Sequence, residues 1–577
     1  MDGERFSERW DAQRCLDPER SVKQLEPGRE GNCDAAMRLD LQLAKWEAAA
    51  GFYRRRGMKT DGVALASKRS EWFGLGLRRT FLGILFALTP VLASCGSSSN
   101  AATTQVAWTG PVPKATCSAG DRIEPGLQGQ TSLADRQSGA SQTAYNCNLG
   151  LVGQYQGEGG EWQLTWFNDC AYYGTYNNAT KAQQGTVVVN AADPAHPAVT
   201  TYLTSKAMLD PWESLKVNTT RKLLGATKGP GFGPSMPTDR QFDFYDIQSD
   251  CAHPTLLSSV DIPTHTGHAG DWAPDGQTYF GTGAGGTGFT AMDLADPKNP
   301  KLIGHYAEAN DSTHDISISQ DTTRAYLTRW GNFVPFGLTG PNGLVILDTT
   351  DIKNRVANAP PPKVVSQFYW EDGGVAQQSI PVTFGGKPHI IFTDETGFGP
   401  LASPADSRFE ACRRGLSAHG FARIIDISDE TNPKLVAKLM LEVNDPAKCS
   451  QYLSDFPTDT SALDNYGYSS HYCTPDSTTD PKILACGYWG AGLRVFDIRN
   501  PYLPKEIAYY KPPAQGTKVL PASALWDDYG GKSRTTDRIS ANVRFRSISG
   551  VDYLWFLAQD NGFMIVKFTK PLSQLLP

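Results

Sequence analysis

FTAMDLADPKNPKLIGHYAE, residues 289–308, reads as a strand, a turn and a second strand. The first apolar run ends at Asp293, and DPKNP follows. An Asp in such a turn accepts a hydrogen bond from the backbone two residues on, while Pro fixes φ and removes a donor the turn does not need. The flanking runs are short and rich in Val, Ile, Leu, Phe and Tyr, which suits strands rather than helices.

The same unit recurs along the chain. Its other copies are TVVVNAADPAHPAVTTYL (186–203), FDFYDIQSDCAHPTLLSSVDI (242–262), GLVILDTTDIKN (343–354) with PPKVVSQFYW (361–370), ARIIDISDETNPKLVAKLML (422–441), LRVFDIRNPYLPKEIAYYKP (493–512) and a truncated FMIVKFTKPL (563–572). The first strands end at Asn190, Asp246, Asp293, Asp348, Asp426, Asp497 and Lys567. Upstream of most copies stands another strand pair, such as HAGDWAPDGQTYFGTG (268–283) or HDISISQDTTRAYLTR (314–329). Each unit thus supplies about four strands, the content of one propeller blade, and repetition at this period is the strongest fold signal in the sequence. The expectation is an all-β, seven-bladed β-propeller over residues 147–577.

The last copy lacks an outer strand. A segment of matching character, NLGLVGQYQGEG, lies before the first full blade at 148–159. It is expected to complete the last blade and close the ring, which removes open sheet edges.

The repeat resembles the LVIVD-repeat family of bacterial secreted proteins, whose units read roughly L-V-I-V-D-I-S-D-P-x-x-P. GLVILD, ARIIDISDETNP and LRVFDIRNPYLP match well, whereas Asn190 and Lys567 depart from the Asp. The resemblance implies a propeller and no particular chemistry.

Outside the repeats, FLGILFALTPVLA (81–93) follows Arg78-Arg79 and precedes Ser94-Cys95. This run has the length of a secretory h-region and is too short for a mature membrane span. Leu92-Ala93-Ser94-Cys95 looks like a bacterial lipobox, so residues 58–94 are expected to be a lipoprotein signal peptide with lipidation at Cys95. The twin arginines also fit export of a folded protein. Residues 1–57 place the signal unusually far into the chain. They are therefore expected to be a misassigned, disordered extension ahead of a start at Met58. Residues 95–146 are expected to be a tether and N-terminal segment. The expected location is the cell envelope, lipid-anchored and extracytoplasmic.

The chain of 577 residues carries a formal net charge of −6, and the part after Cys95 is more acidic than the whole. An acidic surface repels phosphates, which argues against a nucleic-acid partner. A monomer is expected, with the membrane as a partner through the lipid. Beyond Cys95 eight cysteines remain: Cys117, Cys147, Cys170, Cys251, Cys412, Cys449, Cys473 and Cys486. An even count in an exported chain favours disulfides. Of the pairings, only Cys473 with Cys486 follows from position, since the two would face each other in one hairpin.

Long insertions fall repeatedly on one face, at 225–240, 329–342, 396–420, 442–469 and 511–538. Loops that lengthen on one side of a rigid scaffold commonly carry function. Trp330, Phe333 and Phe336 sit among Gly and Pro there and could stack on a sugar or peptide; His419 is a further candidate on the same face. Three blades begin their inner strand at a histidine: His268, His314 and His471. Gln378, Asn542 and Trp162 fall near the same point of other blades, with Asp271, Asp315 and His265 close by. Imidazoles with carboxylates would suit Zn, Cu or Fe. The competing expectation is that each His bonds backbone between blades.

Gly281 to Gly286 fits GxGxxG, but a strand follows rather than a helix, so no helix N-terminus would hold a pyrophosphate. No GxSxG, HExxH, P-loop or EF-hand pattern occurs. Two functions therefore compete. The first is a non-catalytic scaffold binding a protein, peptide or glycan through the long-loop face. The second is a metal-dependent oxidoreductase or hydrolase with a His-lined site at the channel mouth.

Overall fold

A computed structural model describes residues 105–175, 183–229, 241–262, 267–283, 288–306, 313–334, 337–397, 404–453, 466–515, 520–521 and 537–576. Seven antiparallel sheets follow one another along the chain. Blade one comprises strands 164–167, 170–173, 186–190 and 198–203, and blade two 216–218, 223–227, 241–246 and 255–261. Blade three holds 270–272, 278–282, 289–293 and 301–306, and blade four 313–318, 324–334, 337–348 and 363–370. Blade five is built from 374–384, 387–396, 422–426 and 434–439. Blade six uses 470–475, 483–488, 492–497 and 505–511, and blade seven 544–548, 551–558 and 562–568.

The expected closure is present. Leu149–Tyr155 pairs with Gly562–Phe568 as the fourth strand of blade seven, with Leu149 opposite Phe568 and Tyr155 opposite Phe563. The first and last segments of the propeller are thereby joined in one ladder, and the seventh sheet has four strands.

The repeat turn forms as its residue types dictate. Asp296 Oδ1 accepts from the Lys298 amide at 3.0 Å, and Asp193, Asp250 and Asp429 make the same bond two residues on. The strand-end residues repeat this arrangement: Asp293 accepts from Ala295 N at 3.0 Å and Asp426 from Ser428 N at 2.7 Å. Asn190, which departs from the repeat, does so only in charge. Its Oδ1 accepts from Ala192 N at 2.9 Å, because the turn needs an acceptor oxygen rather than a carboxylate.

Third strands are covered on both faces by neighbouring blades, which explains their near-continuous apolar character. Blades seven and one share one such layer, where Trp555, Leu557 and Ile565 pack with Leu164, Tyr173, Val187 and Val189. Outer strands are more exposed, as Thr255–Asp261 shows. In all seven blades the pairing of third and outer strand shifts register once, for instance between Ala291 and Met292 or between Ile424 and Ile425. Such a bulge strengthens local twist, and its recurrence at one place marks it as part of the repeat.

The segment before the propeller packs onto it. Trp108 N donates to Val436 O at 3.0 Å and Trp108 O accepts from Lys438 N at 2.8 Å, so the segment runs beside the outer strand of blade five. Tyr145–Cys147 then adds a fifth strand to blade six beside Lys505–Lys511. Between them Glu124 reaches Arg494 at 2.7 Å and Lys511 at 3.3 Å, both cations being fully buried. Glu506 closes this buried network at 3.0 Å from Arg494. The sequence carries no signal for this strap, because its few apolar residues have no period.

Four disulfides join Cys117 to Cys147, Cys170 to Cys251, Cys412 to Cys449 and Cys473 to Cys486. Cys473 and Cys486 are directly opposite in the first hairpin of blade six, as their positions predict. Four disulfides are the mark of an oxidising, extracytoplasmic compartment. Among the described residues no helix is long and apolar enough to cross a membrane.

Candidate functional site at the centre of the ring

Inner strands of a propeller face the central channel, so residues at their starts converge where the strands begin. His268 precedes Gly270–Trp272, His314 lies on Thr313–Ile318, and His471 lies on Ser470–Pro475. All three are buried. Two glutamates join them. Glu213 sits in the link from blade one to blade two, and its amide donates to His268 O at 3.1 Å, which locks the two together. Glu395 lies near the end of the strand Lys387–Thr396 in blade five.

The side-chain geometry is close. His268 Nε2 lies 2.8 Å from His314 Nε2. Glu213 Oε2 is 3.3 Å from each of these nitrogens. Its other oxygen, Oε1, is 3.2 Å from His471 Nε2, which is also 3.2 Å from Glu395 Oε1. Three histidines from three blades thus meet Glu213, and Glu395 from a fourth joins through His471.

Backbone contacts fix how two of the rings present themselves. His314 Nδ1 lies 3.2 Å from the Gln377 carbonyl, which can only accept, so Nδ1 carries the hydrogen and Nε2 offers its lone pair. His471 Nδ1 donates likewise to the Ser540 carbonyl. This is the outer-shell arrangement that orients metal-binding imidazoles. The expectation that these histidines bond backbone between blades is therefore met at Nδ1 of His314 and His471, while their Nε2 atoms stay directed at the cluster.

Electrostatics sharpen the picture. Burial alone would raise the Glu213 carboxyl, yet His314, His268 and His471 around it hold it well below the usual carboxylate range. Burial pushes His314 down to about 3, against the pull of Glu213. Burial opposes a charge on His471, but Glu213 and Glu395 outweigh it and push that ring up to about 10. Burial raises Glu395. On the blades of His268 and His314, burial lifts Asp271 to about 6 and Asp315, next to His314, to about 7.

Three tryptophans stand over the cluster. Trp162 lies 5.3 Å from Trp212 and 5.4 Å from Trp489, centroid to centroid. Trp489 is 4.8 Å from the His471 ring and Trp212 is 5.8 Å from His268. The indole N–H groups of Trp162 and Trp489 are buried and have no acceptor among the described residues. Trp212, next to Glu213, has φ of 49°, a left-handed conformation unusual for a bulky side chain. Strain of this kind, about 1–3 kcal/mol per residue, is commonly held at functional sites.

The other sequence candidates are dispersed. His419 is fully buried, packs against Tyr468 and accepts from the Tyr468 amide through Nδ1 at 3.3 Å. Gln378 and Asn542 line the channel and bond each other at 3.4 Å. Trp330 and Phe333 fall on Arg324–Val334, opposite Asn342 and Leu338 in a long hairpin. Cys95, His265 and Phe336 lie outside the described residues. A second grouping, Cys117, Asp121 and Cys147, holds no free thiol, because its cysteines form a disulfide.

Glu213 and Glu395 were not legible as site residues. Glu213 precedes the inner strand of blade two much as His268 precedes that of blade three, so counting every blade mouth would have found it. Glu395 lies on a second strand, where an acid reads as a turn residue.

Solved structures offer only distant likenesses. The periplasmic gluconolactonase PpgL of Pseudomonas aeruginosa is 12% identical, with a TM-score of 0.41 over 69% of this chain and 96% of that one. The Cps50 (Swd1) β-propeller domain of Myceliophteria thermophila is 9% identical, with a TM-score of 0.43 over 73% and 100%. A putative 6-phosphogluconolactonase of Bacteroides fragilis is 10% identical, with a TM-score of 0.41 over 70% and 96%. At these values no ligand or reaction carries over to this chain. No curated protein matches the sequence. Residues 422–440, on blade five, match the LVIVD repeat family. The chain is a seven-bladed β-propeller that carries the LVIVD repeat.

Proposed function

We propose that this protein is an exported metalloprotein, anchored by lipid at Cys95, whose centre is a divalent transition-metal site formed by His268, His314 and Glu213. The observation that carries this reading is the meeting of two imidazole nitrogens and a carboxylate oxygen within 3.3 Å of one another. Ligands bonded to one ion at about 2.0–2.2 Å stand roughly 3.0–3.5 Å apart. His314 Nε2 and Glu213 Oε2 offer lone pairs toward one point beside His268 Nε2, where a cation would sit within reach of all three.

Two histidines and one carboxylate suit Fe or Zn, with Cu as a further candidate. Such a set leaves coordination positions open for water or substrate, and the ion would supply Lewis-acid or redox chemistry there. The chain's own part is to hold the ligands and exclude water beneath the tryptophans. The unspent N–H groups of Trp162 and Trp489 would donate to an anionic group bound below them. The function is accordingly that of a metal-dependent oxidoreductase or hydrolase. The competing scaffold reading rests on loops with little described structure.

Elemental mass spectrometry on protein exported through its own signal tests the proposal. At least one equivalent of Fe, Cu or Zn, lost on His314→Ala, supports it. A folded, metal-free wild type would sink it.

A further inference from the structure

Glu213 has two oxygens, and each faces a different group. Oε2 faces His268 and His314, whereas Oε1 lies 3.2 Å from His471 Nε2. The same nitrogen is also 3.2 Å from Glu395 Oε1. His471 is fully buried, and its Nδ1 hydrogen is spent on the Ser540 carbonyl, so Nε2 is the atom it offers to the cluster. That atom is equidistant from two carboxylate oxygens. The His471 and Glu395 set therefore repeats the arrangement of the first: an imidazole oriented by a backbone carbonyl, its Nε2 turned to carboxylate oxygen.

We propose that His471 and Glu395 hold a second divalent metal ion beside the first, with Glu213 bridging the pair through its two oxygens. This rests on the single-ion reading above and extends it from three ligands to five. A bridging carboxylate sets two ions about 3.5–4 Å apart, the separation at which paired ions can share one water or one substrate oxygen. Ligand supply agrees: two His and a carboxylate oxygen serve the first position, one His and two carboxylate oxygens the second. Blades five and six thereby acquire a role that the first site leaves unused.

The test uses the full exported chain, stripped with a chelator and reloaded with Mn(II) alone. Metal analysis is expected to give two Mn per chain, and electron paramagnetic resonance the spectrum of an exchange-coupled pair. Glu395→Gln is expected to halve the Mn content and leave the six-line signal of an isolated ion. One Mn per wild-type chain with an isolated-ion signal that Glu395→Gln leaves unchanged would overturn the second site. His471 would then be an imidazolium clamped between two glutamates. A wild type that takes up no Mn, Fe, Cu or Zn overturns both sites together. Circular dichroism checks the variant's fold, and if Glu395→Gln misfolds, wild-type stoichiometry decides alone.

Discussion

His268 Nε2 and His314 Nε2 approach to 2.8 Å although the two residues come from different blades and are 46 positions apart in sequence. Between two rings in direct contact this approach needs a shared hydrogen, and between two ligands of one ion it needs none. His268→Ala should therefore weaken metal binding by more than the ~10–100-fold typical of outer-shell changes. A competition titration with a chromophoric chelator measures this directly. The denaturation midpoint of the metal-free variant should change little, since the substitution removes a member of a crowded polar cluster rather than an apolar core residue.

The tryptophans report on the same place. Trp489 is 4.8 Å from the His471 ring and Trp212 is 5.8 Å from His268. Adding Cu(II) to the metal-free protein should quench part of the intrinsic fluorescence, saturating at the metal stoichiometry. Trp489→Phe should reduce the quenched amplitude. An amplitude unaffected by that substitution would place the bound Cu(II) elsewhere.

The strap that precedes the propeller should come loose in acid. Burial would raise the Glu124 carboxyl, but Arg494 and Lys511 hold it down at about 2, against an ordinary value of 4.5. A carboxyl depressed on folding contributes stability that is complete above its unfolded pKa. That contribution fades as pH falls from 4.5 through about 2. Amide exchange of residues 105–147 should therefore accelerate across this window ahead of the blade interiors. Arg494→Met should weaken the pH dependence, leaving only the part due to Lys511, and lower stability by about 3–5 kcal/mol, because it leaves two buried acids facing no guanidinium.

Ring closure should be sensitive at Gly153. A Cβ built there would fall 2.1 Å from the Pro194 carbonyl oxygen, at the turn of blade one. Gly153→Val should push the closing strand off its partner and cost about 1–3 kcal/mol or more. The urea midpoint measures the loss, and faster exchange along residues 562–568 locates it.

Much of this architecture was legible because it repeats. Asp293, Asp426 and Asp497 mark equivalent strand ends, and a bond from each to the backbone two residues on fixes the turn locally. The closing strand was legible as the missing piece of the last copy. The strap was not, since its hold depends on Glu124 meeting Arg494 across 370 residues of sequence. The site lay between these cases. His268, His314 and His471 were visible by their shared register at the inner strands. Glu213 lies outside any strand and Glu395 on a second strand, so both entered only when the ring closed around them. The pairings Cys170–Cys251 and Cys412–Cys449 were likewise invisible, because each joins segments that only tertiary packing brings together.

Anomalous X-ray scattering from crystals of the exported protein, collected across the Fe, Cu and Zn edges, tests the central claim most directly. The account predicts a peak about 2.0–2.2 Å from His268 Nε2, His314 Nε2 and Glu213 Oε2, which identifies the element as well as the site. An ordered His268, His314 and Glu213 with no anomalous peak between them, in protein never exposed to chelator, would contradict it.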